Sequence, residues 1–499
     1  MQLLDLPSDI LLRILHNCDV SSLRSASQAN KSFHDLVFTR IIWISLVQDL
    51  RYRGFVDGLS ADDVKAMSTP ELIALMRRLV LGPRCAGTPA SLMLPRRRRL
   101  TLSTKLGSGA CVARTRVLHP TIPPRHLFSQ HDVVLLPRGE YLLLNNATGL
   151  ECWRVADDAL VWRYQSDVPS ARVKAFAADV RDGGGSVNLV ICVVGAPPGY
   201  SHVRIVSLTF STRTAQHLLQ TQVGAPFGDP ITPRIYGDFA AVRMQNQSFV
   251  VFDWRSETYC NIGESHCKRI TMDFIPGHFI SASSQRIEVF SMTALAGKWS
   301  PAGITIDLGG FNKVMTGRIS PVVADSVRPK AMLNPMVTVS VHPSPLGSGM
   351  VRVWVFLCPD PTFSRFRIPG SCHSADDDDV HIFCFRLGHD LRQTAGASAS
   401  ASTNAQPPLQ LRRLKTLQAS FELRCHSIAY AGHTVEERVN YNGLYHRGVE
   451  WVVSRAGPIW EPVVLPLVKP RAGTDPVVAA YSGAVTYLAE DGVVVQYYE

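Results

Sequence analysis

"GDFAAVRMQNQSFVVFDWRSE" occupies Gly237–Glu257, two short apolar runs on either side of a polar centre. Neither run is long enough for a helix of ordinary length, and Gly237 and the polar residues after Trp254 bound the pair, so the stretch is a strand pair joined by a turn. The same design returns in "GHFISASSQRIEVFSM" at Gly277–Met292 and in "GEYLLLNNATGLECWRV" at Gly139–Val155. "DDALVWRYQ" follows the last of these and places Leu160, Trp162 and Tyr164 on one face of a further strand. Additional strand pairs are expected at Val337–Phe356 and Val485–Tyr497, the latter around Asp491-Gly492, a pair suited to a type I′ turn.

Gly237 and Gly277 open equivalent strands 40 residues apart, within the ~40–45 residue period of WD-type propeller blades. "VFDW" at Val251–Trp254 is similar to the Trp-Asp signature of such blades, although the Gly-His signature is missing. The stretch from Lys105 to Glu499 is therefore expected to be a degenerate WD-like β-propeller of six to eight blades. The spacing after Gly277 is irregular and leaves the blade number open, and a pair of β-sandwiches is the alternative. A strand pattern that runs to Tyr498 suits a ring closed by C-terminal strands.

The N-terminal part is helical instead. In "LLDLPSDILLRIL" at Leu3–Leu15 a helix begins beside Pro7, with Ser8 as its expected cap and Asp9 in its first turn. Ile10, Leu11, Ile14 and Leu15 form one broad stripe, and Leu12 points away from its centre. Asp19, Ser21 and Ser22 offer caps to a second helix carrying Leu23, Ala26 and Ala29. Phe33, Leu36, Val37, Ile41 and Ile44 read as one face of a third helix, with Trp43 at its edge. This is more apolar surface than one helical face can hide. A helical stretch continues to Leu81, where Ser68 or Thr69 caps "STPELIALMRRLVL" with Pro70 and Glu71 in the first turn.

From Leu4 to Leu46 the chain resembles the F-box, a three-helix motif. Leu6-Pro7 matches the motif's opening, Ile10, Leu11, Ile14 and Leu15 its apolar positions, and Leu23 and Trp43 its later ones. Asp9 stands where the family usually has Glu, and Asn30-Lys31-Ser32-Phe33 replaces Cys-Lys-x-Trp. The resemblance implies that Leu6, Pro7, Ile10, Leu11, Ile14 and Leu15 bind a Skp-type linker protein, and through it a cullin-RING assembly. On that reading residues 1–46 are the F-box, 47–104 a helical linker and 105–499 the propeller. The implied function is that of a substrate-recognition adaptor of an SCF-type ubiquitin ligase with an unknown protein substrate. An F-box scaffold that binds the linker without ubiquitin transfer is the alternative.

Composition narrows the classes further. Fifty-one basic against 41 acidic residues give a net charge of +10, modest for 499 residues and interspersed along the chain, so nucleic-acid binding is not expected. Eleven cysteines without a CxxC pair suit reduced thiols. No run approaches the ~20 apolar residues of a membrane helix, and the N-terminal stretch lacks the features of a secretory signal, so a cytoplasmic or nuclear location without membrane contact is expected.

No catalytic residue, cofactor or metal is expected. "KLGSGACVA" at Lys105–Ala113 has no helix after it to form a phosphate cradle. Cys372, His373, His381 and Cys384 lack the paired spacing of a zinc site, and Cys260, His266 and Cys267 fare no better. Trp153, Trp254 and Trp354 fit the spaces between blades. "LPRRRRL" at Leu94–Leu100 reads as a solvated basic linker, "SADDDDV" at Ser374–Val380 as an acidic turn, and Thr394–Pro408 as a disordered insert.

Overall fold

The computed structural model describes residues 6–82, 112–120, 132–146, 148–167, 170–195, 201–224, 229–245, 248–263, 270–306, 313–316, 319–327, 335–347, 349–358, 380–389, 408–419, 428–442, 445–455, 463–464, 467 and 476–498. The basic linker, the acidic turn before Val380, the insert before Pro408 and the expected boundary between residues 104 and 105 lie outside them.

Six helices come first: α1 (Ser8–His16), α2 (Val20–Ser27), α3 (Lys31–Val37), α4 (Arg40–Tyr52), α5 (Ala61–Ala66) and α6 (Thr69–Leu81). Asp19 caps α2 by accepting from Ser22 N at 2.8 Å, and Asn30 caps α3 by accepting from Phe33 N at 2.8 Å. Before α6, Ser68 N donates to Glu71 Oε2 at 2.7 Å, the reciprocal half of a capping box. Leu15, Leu23, Val37, Trp43, Val47 and Leu50 share one core with Val64 of α5 and Leu72, Leu75 and Leu79 of α6. Residues 8–81 are thus held by common apolar burial, each fully buried side chain contributing about 1.5–3 kcal/mol.

Two local readings need correction. Ser8 does not cap α1: Pro7 holds the cap position, and its carbonyl accepts from Ile10 N at 3.0 Å and Leu11 N at 3.1 Å. The expected third helix is two helices, broken at Phe38-Thr39. Thr39 is extended, and its hydroxyl donates back to Leu36 O at 2.7 Å, a side-chain bond that competes with helix continuation. The break shifts the phase, so α4 buries Ile42, Trp43, Leu46, Val47 and Leu50 and turns Ile41 out to 60% exposure.

The described residues beyond α6 form seven sheets, antiparallel apart from two short parallel additions and taken here as blades 1 to 7. Blade 1 spans Val133–Leu135, Tyr141–Asn145, Gly149–Arg154 and Ala159–Gln165, and blade 2 spans Arg172–Arg181, Ser186–Val194, Ser201–Thr209 and Thr214–Val223. Blade 3 holds Pro230–Tyr236, Phe239–Met244, Phe249–Asp253 and Thr258–Gly263, and blade 4 holds Thr271–Ile275, His278–Ala282, Arg286–Ser291 and Val323–Ser326. Blade 5 comprises Met336–Pro343, Val351–Cys358, Val380–His389 and Leu409–Ala419, and blade 6 comprises His433–Asn442, Tyr445–Arg455 and Val463–Val464. Blade 7 joins Val477–Val478, Val485–Leu488 and Val493–Tyr498 to Val112–Leu118.

The apolar runs of Gly237–Glu257 are continuous because both faces of the blade are covered. Ala240, Val242, Val250 and Phe252 pack with blade 2, whereas Ala241, Phe249 and Val251 pack with blade 4. Similar cores join blades 1 and 2, 4 and 5, and 7 and 1. Ile428 packs on blade 5 and Ala429 on blade 7, so the segment that enters blade 6 bridges its two neighbours. The fold is a seven-bladed β-propeller preceded by a helical module, within the expected range of six to eight blades.

Ring closure is a strand exchange between distant parts of the chain: Val112 pairs with Tyr498 and Leu118 with Val493. Gly492, at φ 154°, lies beside this seam, where an added Cβ would meet Leu118 O at 2.1 Å. Asp491 is not among the residues at positive φ, so the turn is not type I′. The glycine is required by the approach of the closing strand.

Candidate partner-binding face

α1 presents two edges. Successive helical residues are ~100° apart, so the stripe of four residues covers more of the helix than α3 and α4 touch. Leu11 and Leu15 are buried, 5% and 3% exposed, and Leu12 is half-buried against the helical core that holds Leu15. Ile10 and Ile14 turn outward at 37% and 43%, Pro7 is exposed and Leu6 is half-buried. The six residues singled out in the sequence therefore divide into an inner pair that fixes the helix and an outer group that faces solvent. Leu12, beside the stripe, packs on the helical core from the flank of Leu15.

Sequence periodicity missed part of this apolar surface. Phe38 (41% exposed) meets His34 in a tilted contact with ring centroids 4.6 Å apart and lies 6.0 Å from Trp43. Ser45 follows Ile41 by one turn of α4 and its hydroxyl lies 3.4 Å from His16 Nδ1, which sets the face bearing Ile41 beside α1. The Thr39 cap was the local signal for this arrangement, since Thr is a favoured cap residue.

The module is seated on the turns that join the first and second strands of the blades. Ser21 N donates to Leu346 O at 3.2 Å, and Arg53 Nη2 to Ser344 O at 3.1 Å. Tyr52 lies against Gly183 of blade 2, and His433 against Gly82 at the end of α6. Phe55 meets Tyr481 edge-on with centroids 4.6 Å apart, and Arg53 lies over the Phe55 ring at 4.7 Å. Tyr481 in turn donates to Pro343 O at 2.9 Å and neighbours Tyr430 and His342.

Charge at this seam is tightly placed. Gly58 N donates to Arg138 O at 2.9 Å, while the Asp57 carboxylate accepts from the Arg138 backbone and from Ser482. Burial pushes the Asp57 carboxyl up to about 6 despite those bonds and the Arg114 charge. Burial pulls His342 down to about 4, and the Arg352 charge adds to the effect. Burial also works against the Asp19 carboxylate, but the bonds from Ser22 and Ser21 outweigh it and hold it below the usual range.

The remaining sequence candidates are placed as follows. Trp153 and Trp354 are buried between blades, and Trp254 donates from Nε1 to Gly237 O at 3.2 Å. Cys372, His373, His266 and Cys267 lie outside the described residues. Cys384 is buried in blade 5, its thiol pushed up to about 11 by that burial, and Cys260, similarly placed in blade 3, rises to about 11. Among the described residues no three His, Cys, Asp or Glu side chains form a metal-holding group, and no helix is long and apolar enough to cross a membrane.

Residues 3–49 match the family model described as F-box-like. No curated protein is similar to the chain in sequence. Among solved structures, the chain is similar to one in the crystal structure of the Mitotic Checkpoint Complex, at 10% identity over 81% of this chain and 99% of that chain, with a TM-score of 0.39. It is also similar to the WD40 domain of SCAP from fission yeast, at 12% identity over 74% of this chain and 82% of that one, with a TM-score of 0.40. The N-terminal helices match an F-box-like segment, and in this chain they precede a WD-like propeller.

Proposed function

We propose that this chain is a substrate-recognition adaptor of an SCF-type cullin-RING ubiquitin ligase. The observation that carries the reading is the division of α1: Leu11 and Leu15 secure the helix from within, while Pro7, Ile10 and Ile14 stand in solvent within a segment that matches the F-box-like family. A Skp-type linker covers that outer group, joined by Leu6, and the propeller holds the protein to be modified. The chain supplies no catalytic group. It contributes proximity, which converts a bimolecular transfer into an effectively intramolecular one. Six described cysteines carry free thiols, which suits a reducing compartment, cytoplasm or nucleus.

The test is capture of a linker-cullin assembly by the full chain and by Ile10→Asp/Ile14→Asp. Both positions are exposed, so the double variant keeps the melting behaviour of the wild type and loses capture by at least about 30-fold, the equivalent of ~2 kcal/mol. Unchanged capture by the folded variant overturns the assignment of this face. Capture without ubiquitin transfer to a propeller-bound protein favours the scaffold alternative.

A further inference from the structure

Away from the helical module, where blade 1 leads into blade 2, three polar side chains are buried together. Arg204 and His202 lie on the third strand of blade 2, and Tyr164 is the penultimate residue of the fourth strand of blade 1. Their exposures are 4%, 6% and 5%. The Arg204 guanidinium lies over the Tyr164 ring at 5.7 Å, and the Tyr164 hydroxyl neighbours Ser166 and Arg204. Arg204 pairs with Ile191 and Val194 with Ser201, so the cluster sits toward the end of blade 2 remote from the Gly183 turn that touches Tyr52.

The cluster's hydrogen bonding is incomplete. Nη2 of Arg204 donates to one oxygen of Asp167, but Arg204 Nε and His202 Nδ1 make no hydrogen bond among the described residues. Buried donors without partners are costly, and a guanidinium fork is built to hold both oxygens of one carboxylate. Asp167 fills half of that fork while its own side chain remains 68% exposed.

We propose that Arg204, His202 and Tyr164 form a binding site for a carboxylate group of a peptide segment, and that Asp167 occupies it as a displaceable internal stand-in. The ligand carboxylate takes Nε and Nη2 of Arg204 together, and His202 Nδ1 supplies a further contact. Asp167, on the connection between blades 1 and 2, swings into the solvent it already faces. A carboxylate fits better than a phosphate dianion because, of the three buried side chains, Arg204 alone carries a fixed positive charge: burial and the Arg204 charge lower the pKa of His202 against the opposing Asp167 charge, which favours its neutral form. The inference deepens the adaptor reading, on which it rests in assigning the segment to a held protein.

The experiment uses the full chain and three probes: a heptapeptide of Asp and Glu with both ends blocked, a neutral heptapeptide with a free C-terminus, and inorganic phosphate. Binding is followed calorimetrically and by the His202 ring signal in NMR. At least one carboxylate probe binds and raises the His202 titration midpoint; which one binds identifies side-chain or chain-end carboxylate. Asp167→Asn removes the internal competitor and tightens that binding about tenfold, and Arg204→Lys weakens it about tenfold by losing the fork. Failure of both peptides, tighter binding of phosphate than of either peptide, or no tightening in Asp167→Asn overturns the site. Should Arg204→Lys not fold, the exposed Asp167→Asn variant decides alone. Linker capture by Asp167→Asn stays at the wild-type level, so failure here is distinguishable from failure of the adaptor reading.

Discussion

Phe55 and Tyr481 meet edge to face with ring centroids 4.6 Å apart, although 426 positions separate them in the sequence, the difference between 481 and 55. One ring leaves the end of α4 and the other tops the first turn of blade 7. Through Pro343, Tyr430 and His342 this contact ties the helical module to the propeller, so α1 keeps a defined orientation toward the blades.

Truncating Phe55, which is 3% exposed, removes a large buried ring. Phe55→Ala is expected to cost about 3–5 kcal/mol in denaturant unfolding. A cycle with Tyr481→Ala should return a coupling of about 0.5–1.5 kcal/mol. Additive single effects would mean that the rings are buried separately.

Asp57 makes docking weaken as pH rises. Its carboxyl is held at about 6 in the folded chain against ~3.9 unfolded. The folded state therefore holds the extra proton, and this contribution is full below pH ~4 and lost as pH passes ~6. Asp57→Asn should abolish that falling component in unfolding free energies measured from pH 4 to 7.

His342 acts in the opposite direction over nearly the same window. Its imidazole is held at about 4 against ~6.5 unfolded, so its contribution is present above pH ~6.5 and lost as pH falls toward ~4. In wild type the two slopes offset each other. The Asp57→Asn variant should then show stability that rises with pH from 4 to 6.5, and a flat profile would rule out the His342 contribution.

Within blade 1, Glu151 is fully buried and accepts from Arg163 at 2.8 Å, Trp153 at 2.9 Å and Asn146 at 3.1 Å. Replacing Arg163 by Met leaves a buried carboxylate without its counter-charge, a loss of about 3–5 kcal/mol. Calorimetric melting of Arg163→Met should show it. A variant as stable as the wild type would place Glu151 in contact with water.

Gly492→Ala puts a methyl group against Leu118 O, 2.1 Å away, and should destabilise the ring by at least about 1 kcal/mol. Loss of closure exposes strand edges, so light scattering should rise at temperatures where wild type stays clear. An unchanged melting curve would remove the glycine from the closing seam.

The helices of the module were legible because their caps and apolar spacing are local. The break at Phe38-Thr39 was not: Phe33, Leu36, Val37, Ile41 and Ile44 keep helical spacing across it, and a single side-chain bond from Thr39 decides the phase. Nor could periodicity tell Leu11 from Ile10, since both belong to a wide stripe and only the placement of α3 and α4 separates them. Blade number was obscured where blade 4 inserts residues 292–322 between its last two strands. Part of that insert, Ser300–Pro301 and Thr305–Ile306, pairs with blades 3 and 2 instead.

A signal for the blades was nevertheless present. Gly139, Gly184, Gly237, Gly277, Gly349, Gly432 and Gly483 all have positive φ, one in each blade or at the turn leading into it. At Gly277 an added Cβ meets nothing within 4 Å, so the backbone conformation alone demands glycine there. The buried cluster of Arg204, His202 and Tyr164 was illegible for another reason: Tyr164 and Arg204 stand 40 residues apart, on strands of different blades.

The pairing of Val112–Leu118 with Val493–Tyr498 also sets a timetable for biosynthesis. At about 5–20 residues per second, a ribosome needs roughly 20–80 s to travel from the first of these strands to the second. Throughout that interval the helical module can fold, but its attachment through Tyr481 has not yet been made and the ring lacks its last partner. A message truncated before codon 493 therefore yields a chain with the N-terminal helices complete and the propeller unsealed. Such a product would carry finished helices on an open ring, so the last six paired residues decide whether the blades ever close.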